Sequence, residues 1–261
     1  MTEGPDPTLS TAARMERAGS TATLYLSRPP LNILDLEMIG RLSQLLDEIA
    51  DDDSIHAVVL RGEGAKAFSA GVSIKDHTPD KVEEMLTGFH DVVRKLVALD
   101  PVTVAAVDGH CLGGGMELAM VCDLVVASDR SRFGQPEIQL ACFPPVATAL
   151  YSALVGPIRA NDLVLTGRLL SATEAEAWGL IARRVAELEP ALTELVAEIS
   201  AKSAAVLTLT KRALRAGRER SFAPALDEAE RLYLQDLTRT EDMKEGIAAY
   251  LAKRQPTWRH R

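Results

Sequence analysis

The segment VTVAAVDGHCLGGGMELAM, residues 102–120, decides how the rest of the chain is read. Val102 to Val107 is an apolar run of the kind that forms a strand buried on both faces. Gly109 opens a loop that closes on Gly113, Gly114 and Gly115, and a helix follows from about Gly114. The same order recurs upstream. Ala57-Val58-Val59-Leu60 is a buried run, and residues 61–78 hold Gly62, Gly64 and Gly71. Thr78-Pro79 then signals a helix start, ahead of a stripe of Val82, Met85, Leu86, Phe89, Val92, Val93 and Leu96. Downstream, Asp123 to Ala127 reads as a further strand.

Residues 21–28 alternate in the manner of a strand and end at Pro29-Pro30. Met38, Ile39, Leu42, Leu45, Leu46 and Ile49 recur at helical spacing, with acidic Asp35 and Glu37 near the helix start. Strands alternating with helices predict an α/β core, largely parallel and covered on both faces. Beyond about residue 157 the pattern becomes helical. Residues 196–253 read as all-helical, with Leu226, Ala229, Leu232, Tyr233 and Leu237 on one stripe.

The chain has 261 residues, 47% apolar and 25% charged, the balance of an ordinary globular protein. Aromatics are only 4%, so Ala, Val, Leu and Ile must build the core. A formal net charge of −8 argues against nucleic acid and anionic membrane surfaces as partners. Cys111, Cys122 and Cys142 fit no zinc spacing and read as free thiols of a reducing compartment. The polar first twenty residues lack a secretory apolar region, and the apolar stretch Leu140–Gly156 is broken by Pro144-Pro145. A cytoplasmic protein is the expectation.

Two loops after buried strands carry the candidate chemistry: Ala67 to Lys75 and Asp108 to Ala119. Their glycines let backbone N–H groups approach a ligand, and a helix starting at the triple glycine aims its free N–H groups there. Neither loop is a Walker or dinucleotide cradle, and no metal-binding pattern is present. Glu117 falls in the first turn of that helix. Glu137 follows in the apolar setting of Phe133-Gly134-Gln135-Pro136-Glu137-Ile138. Two carboxylates in apolar company are costly without partners. From the residues alone, two accounts stand: a catalytic pair, or a helix-start stabiliser beside a structural salt bridge.

FSAGVSIK at 68–75, GHCLGGGMELAMVCDLVVAS at 109–128, FGQPEI at 133–138 and the Glu117–Glu137 spacing resemble the crotonase (enoyl-CoA hydratase/isomerase) superfamily. The resemblance runs from about Leu24 to Trp258. It implies a crotonase-like ββα spiral core over 1–195 and a C-terminal all-helical oligomerisation region over 196–261. That region would build a homotrimer, possibly a hexamer as a dimer of trimers. It also implies an oxyanion hole from the N–H groups of Val72 and Gly114. Coenzyme A, as part of the acyl-CoA substrate, would lie against Pro30, Leu31, Ala70, Val72, Ser73 and Ile74, with no prosthetic group and no metal. Most relatives carry Asp where this chain has Ser73.

By the same resemblance Glu137 is the principal acid/base and Glu117 orients and helps activate water. Keeping both points to a hydratase. A double-bond isomerase or decarboxylase using Glu137 alone is the alternative, followed by a non-catalytic paralogue that binds CoA esters. Leu140-Ala141-Cys142-Phe143-Pro144-Pro145-Val146-Ala147, with residues 75–85, resembles the cyclohexa-1,5-diene-1-carbonyl-CoA hydratases. His77 and His110 sit near the expected site, where loop-backbone roles are favoured. His56 and His90 read as solvated, Ser69 has no nucleophile context, and Cys111 reads as a packing residue. Lys75, Lys253 and Arg254 are candidates for CoA phosphates; for the last two, a solvated face is the favoured reading.

Overall fold

The computed structural model describes residues 12–219 and 235–261. β1 (Ala13–Ala18) and β2 (Thr21–Leu26) form an antiparallel pair, and α1 (Leu36–Ala50) follows. Asp35 caps α1 by accepting from Met38 N at 2.9 Å, as its place before the apolar stripe predicts. Then the unit announced by the sequence repeats. β3 (Ala57–Gly62), β4 (Ala67–Ser69) and α2 (Val82–Ala98) form one turn. β5 (Val102–Val107), β6 (His110–Leu112) and α3 (Gly114–Met120) form the next. A third pair of strands, β7 (Leu124–Ser128) and β8 (Arg132–Gly134), leads into α4 (Pro145–Val155).

The strands of each turn enter two different sheets. A six-stranded sheet has the order β1-β2-β3-β5-β7-β10, where β10 is Arg183–Val185. It is parallel from β2 onward. A four-stranded sheet has the order β4-β6-β8-β9, with β9 at Leu169–Ser171. This is a ββα spiral. Side-chain alternation explains the apolar runs. Val58, Leu60, Ala105 and Val107 face the main core, whereas Ala57, Val59, Val104 and Ala106 face the other side of the sheet. That second side is covered by Leu188, Leu192, Leu195 and Ile199 of α7 (Leu188–Ser200).

Helices α5 (Pro157–Thr166) and α6 (Ala172–Ala177) flank β9. Beyond α7, α8 (Ala204–Glu219) and α9 (Glu241–Leu251) continue the helical pattern. Of the apolar stripe read across 226–237, all but Leu237 lie outside the described residues; Leu237 opens a short 3-10 turn. No helix among the described residues is long and apolar enough to cross a membrane.

Some expectations need correction. α2 begins at Val82, not at Thr78-Pro79, because Thr78 O first closes a turn on the N–H groups of Lys81 and Val82. β1 was hidden by its composition, since an edge strand with its far end exposed tolerates Arg14, Glu16 and Arg17. β4, β6, β8, β9 and β10 have three residues each, too few for any period to register.

Candidate active site

The two glycine turns meet. Leu34 pairs with Val72 as an isolated parallel bridge, with Leu34 N donating to Gly71 O (3.0 Å) and Ser73 N to Leu34 O (2.9 Å). Ala70 N donates to Leu31 O at 2.9 Å. The residues expected to hold coenzyme A are thus drawn together: Pro30 and Leu31 on one segment, Ala70, Val72, Ser73 and Ile74 on the other. Ile74 is largely exposed at their edge, and Ser73 is buried, its carbonyl 2.9 Å from His77 Nδ1. Ser69 is fully buried. Its hydroxyl donates to Asn32 O (2.7 Å) and accepts from Gly71 N (3.1 Å), a structural role that fixes the turn.

A β-carbon built on Gly114 would lie 2.7 Å from Val72 Cγ2, and one on Gly71 would lie 3.4 Å from Gly114 N. The N–H expected at Val72 and the N–H expected at Gly114 are therefore on touching segments. Gly114 is the first residue of α3, so its N–H falls outside the intrahelical ladder. Gly113 holds φ +53°, a left-handed conformation suited to glycine, and a β-carbon there would sit 2.6 Å from Glu137 Oε1. Glu137 thus stands directly over the triple-glycine turn, on the 3-10 turn Pro136–Leu140.

Glu117, 3% exposed, accepts from Ala147 N at 2.9 Å. That N–H belongs to the first turn of α4, whose free N–H groups suit a carboxylate. Burial pushes Glu117 up to about 7; the backbone bond from Ala147 opposes this and the like charge of Glu137 adds to it. Burial likewise raises Glu137 to about 7. Among the described residues neither carboxylate has a basic partner within ion-pair distance. The contrast is Glu245, held at about 2 by Arg254 and the Thr257 N–H. Two carboxyls near neutrality, one step from a nest of backbone N–H groups, can exchange protons with a bound water.

Two residues of this site went unread in the sequence. Gln135 and Tyr151 are fully buried. With Glu137 ionised, only one orientation of the Gln135 amide satisfies both of its ends. With the amide oxygen toward the carboxylate, acceptor would face acceptor while Nε2 meets Tyr151 Oη at 2.6 Å. In the other, Nε2 donates to Glu137 Oε2 (3.1 Å) and Oε1 (3.2 Å) while the amide oxygen accepts from Tyr151 Oη at 2.6 Å. The second orientation suits an ionised Glu137. Gln135 had a signal, two residues before Glu137 in a quoted motif; Tyr151 had none, being one apolar-patterned helix residue among many.

The remaining candidates scatter. His110 lies in β6 with its backbone bonded to Lys66 O (3.1 Å), and Cys111 is wholly buried, its thiol pushed well up by burial. Lys75 is exposed, Arg254 pairs with Glu245, and Lys253 is exposed beside it. His56 and His90, expected to be solvated, are half-buried, and burial lowers both. Among the described residues no group of His, Cys, Asp or Glu is placed to hold a metal.

Comparison with known proteins gives the family and the fold. The model of the enoyl-CoA hydratase/isomerase family matches residues 16–261. A cyclohexa-1,5-dienecarbonyl-CoA hydratase of Thauera aromatica is 37% identical over 251 residues, covering 95% of this chain and 96% of that protein. A short-chain-enoyl-CoA hydratase of Clostridium acetobutylicum is 33% identical over 247 residues, covering 92% and 94%. The crystal structure of an enoyl-CoA hydratase from Bacillus anthracis superposes with a TM-score of 0.91 at 28% identity, covering 95% of this chain and 99% of that one. With a spiral core and paired glutamates already in place, the chain is a hydro-lyase and belongs to the enoyl-CoA hydratase/isomerase family.

Proposed function

We propose that the chain adds water across the conjugated double bond of an acyl-CoA thioester, with Glu137 as principal acid/base and Glu117 orienting the water. The observation that carries this is the pair of carboxyls, both raised to about 7 and without a basic partner among the described residues, beside the Val72 and Gly114 turns. Water attack drives electrons onto the thioester oxygen, making an enolate. N–H groups at Val72 and Gly114 stabilise that charge, and one such donor is worth about 3–4 kcal/mol of barrier. The water hydroxyl goes to the β-carbon. Its proton passes to a carboxylate, and a carboxyl proton goes to the α-carbon, or to the far end of a conjugated diene.

Coenzyme A would lie along Pro30, Leu31, Ala70, Val72, Ser73 and Ile74, with no prosthetic group needed. A cyclic dienoyl thioester is the favoured acyl group. The Thauera relative supports it, and so does the stiff Phe143-Pro144-Pro145 entry to α4, the helix whose N–H holds Glu117. Exposed Ile138, Leu140, Leu165 and Leu169 beside the site support association into a homotrimer, or a hexamer of two trimers, with residues 196–261 as the helical association region. Cys111, Cys122 and Cys142 are free thiols, which supports a cytoplasmic place of action.

The test is a side-by-side assay of crotonyl-CoA and cyclohexa-1,5-diene-1-carbonyl-CoA, read by mass spectrometry for the gain of one water. Glu137→Gln should cut turnover about 10²–10⁴-fold, and Glu117→Gln should cost most of the activity. Water gain on the diene alone assigns the cyclic substrate; gain on crotonyl-CoA assigns a general enoyl-CoA hydratase. Water gain on neither substrate, or activity that survives Glu117→Gln, moves the assignment to an isomerase or decarboxylase using Glu137 alone.

A further inference from the structure

We propose that Tyr151 is a positioning residue for Glu137, acting through the Gln135 amide and serving both protonation states of that carboxyl. The inference rests on the reading of Glu137 as the acid/base. Tyr151 is one turn along α4 from Ala147, so a single helix reaches both carboxylates. Its Ala147 N–H holds Glu117 directly at 2.9 Å, and its Tyr151 Oη touches Gln135 at 2.6 Å. Pro144 and Pro145 stiffen the entry to that helix.

A carboxyl that gains and loses a proton is well served by a neighbour able to donate to it in one state and accept from it in the other. The Gln135 amide has both ends, and the phenol can serve whichever end is left over. With Glu137 ionised, the amide nitrogen faces the carboxylate and Tyr151 donates to the amide oxygen. With Glu137 protonated, the carboxyl donates to the amide oxygen and the nitrogen donates to Tyr151 Oη. The titratable groups facing the phenol are Glu117 from α3, Glu137 from the 3-10 turn and Cys111 from β6. Burial holds both the phenol and the Cys111 thiol neutral, so the two glutamates alone change charge.

Tyr151→Phe removes the adaptable partner. One amide end is then orphaned in each state: the N–H end when Glu137 is protonated, the carbonyl end when it is ionised. Orphaned buried N–H groups are the less tolerated, so ionised Glu137 is favoured. The expected result is kcat falling about 10- to 100-fold with KM within about twofold, and a limb of the pH–rate profile moving to lower pH. Tyr151→3-fluorotyrosine keeps the shape but makes the phenol a better donor and poorer acceptor. It should move the same limb in the same direction with near-normal folding, whereas a merely structural tyrosine would leave that limb in place. If Tyr151→Phe fails to fold, the fluorinated variant decides alone. Unmoved limbs in the fluorinated variant overturn the proposal, as does a Tyr151→Phe enzyme with normal kcat and pH profile. Glu137→Gln is assayed in parallel. If it is inactive while the Tyr151 variants behave as wild type, only the positioning role falls; if it stays active, the acid/base reading falls first and takes this one with it.

Discussion

At the scale of single residues, the candidate site holds two glutamates, Glu117 buried and Glu137 half-buried, with no cation beside either among the described residues. That has a consequence for stability. Glu117 titrates at about 7 in the folded protein against an ordinary 4.5. Between these values the folded chain holds a proton that the unfolded chain has released. Its contribution to stability is therefore fully present below pH 4.5 and is lost as pH rises through about 7. Glu117→Gln, which still offers Ala147 N an acceptor, should stabilise the protein by about 3 kcal/mol at alkaline pH, with the gain vanishing in acid. Urea titrations across that range check it; an equal gain at every pH would refute burial as the origin. Both glutamates were legible as candidates from their apolar neighbours and motif spacing, and Gln135 stood in the same motif as Glu137. What holds Glu117 was not legible, because Ala147 N–H reaches it only through folding.

At the scale of elements, the glycine turns are shaped by what they touch. Gly114→Ala would place a β-carbon 2.7 Å from Val72 Cγ2 and 3.2 Å from Phe89 Cζ, forcing the two loops apart. Turnover should fall about 10²–10³-fold, as when an oxyanion donor is displaced, while far-UV circular dichroism stays native. Gly40→Ala, on the exposed face of α1 with nothing within 4 Å of a new β-carbon, is the contrast. It should leave turnover unchanged and raise stability by about 0.5–1 kcal/mol, measured by thermal unfolding. The longer buried strands and α1 were readable because five or more residues carry an apolar run or a clear period, whereas the six residues of β1 were masked by the charges an edge strand tolerates. The three-residue strands were not, since their place is set by pairing with neighbours such as β6 with β8.

At the scale of the whole molecule, the helical region is tied to the spiral core by a buried lysine. Lys211 of α8 donates to Pro101 O (2.8 Å) and lies 2.7 Å from Asp123 Oδ2, just ahead of β7. Burial lowers Lys211, and the nearby Asp123 charge opposes that. Lys211→Met should cost about 2–3 kcal/mol, because it leaves the Asp123 charge to the neutral donors of Thr103 alone and the Pro101 carbonyl without its donor. The loss should shrink in an Asp123→Asn background, where no charge is left unpaired. Unfolding midpoints of the two single variants and the double variant measure that coupling; strict additivity would show that the pair does not tie the regions.

The sequence by itself determined the alternation of buried strands and helices, the two glycine turns and the identity of both glutamates. Each of these is written locally, as a run of apolar residues, a left-handed backbone position, or a charge in apolar company. Only the tertiary structure decided that the long and short strands of each turn enter different sheets. It also decided that Gly113 lies under Glu137, and that one helix, α4, reaches Glu117 through Ala147 and Glu137 through Tyr151 and Gln135. These are contacts between residues tens of positions apart, such as Glu117 with Ala147. Local pattern carries no record of them, because burial and hydrogen bonding at that distance exist only once the chain has closed on itself.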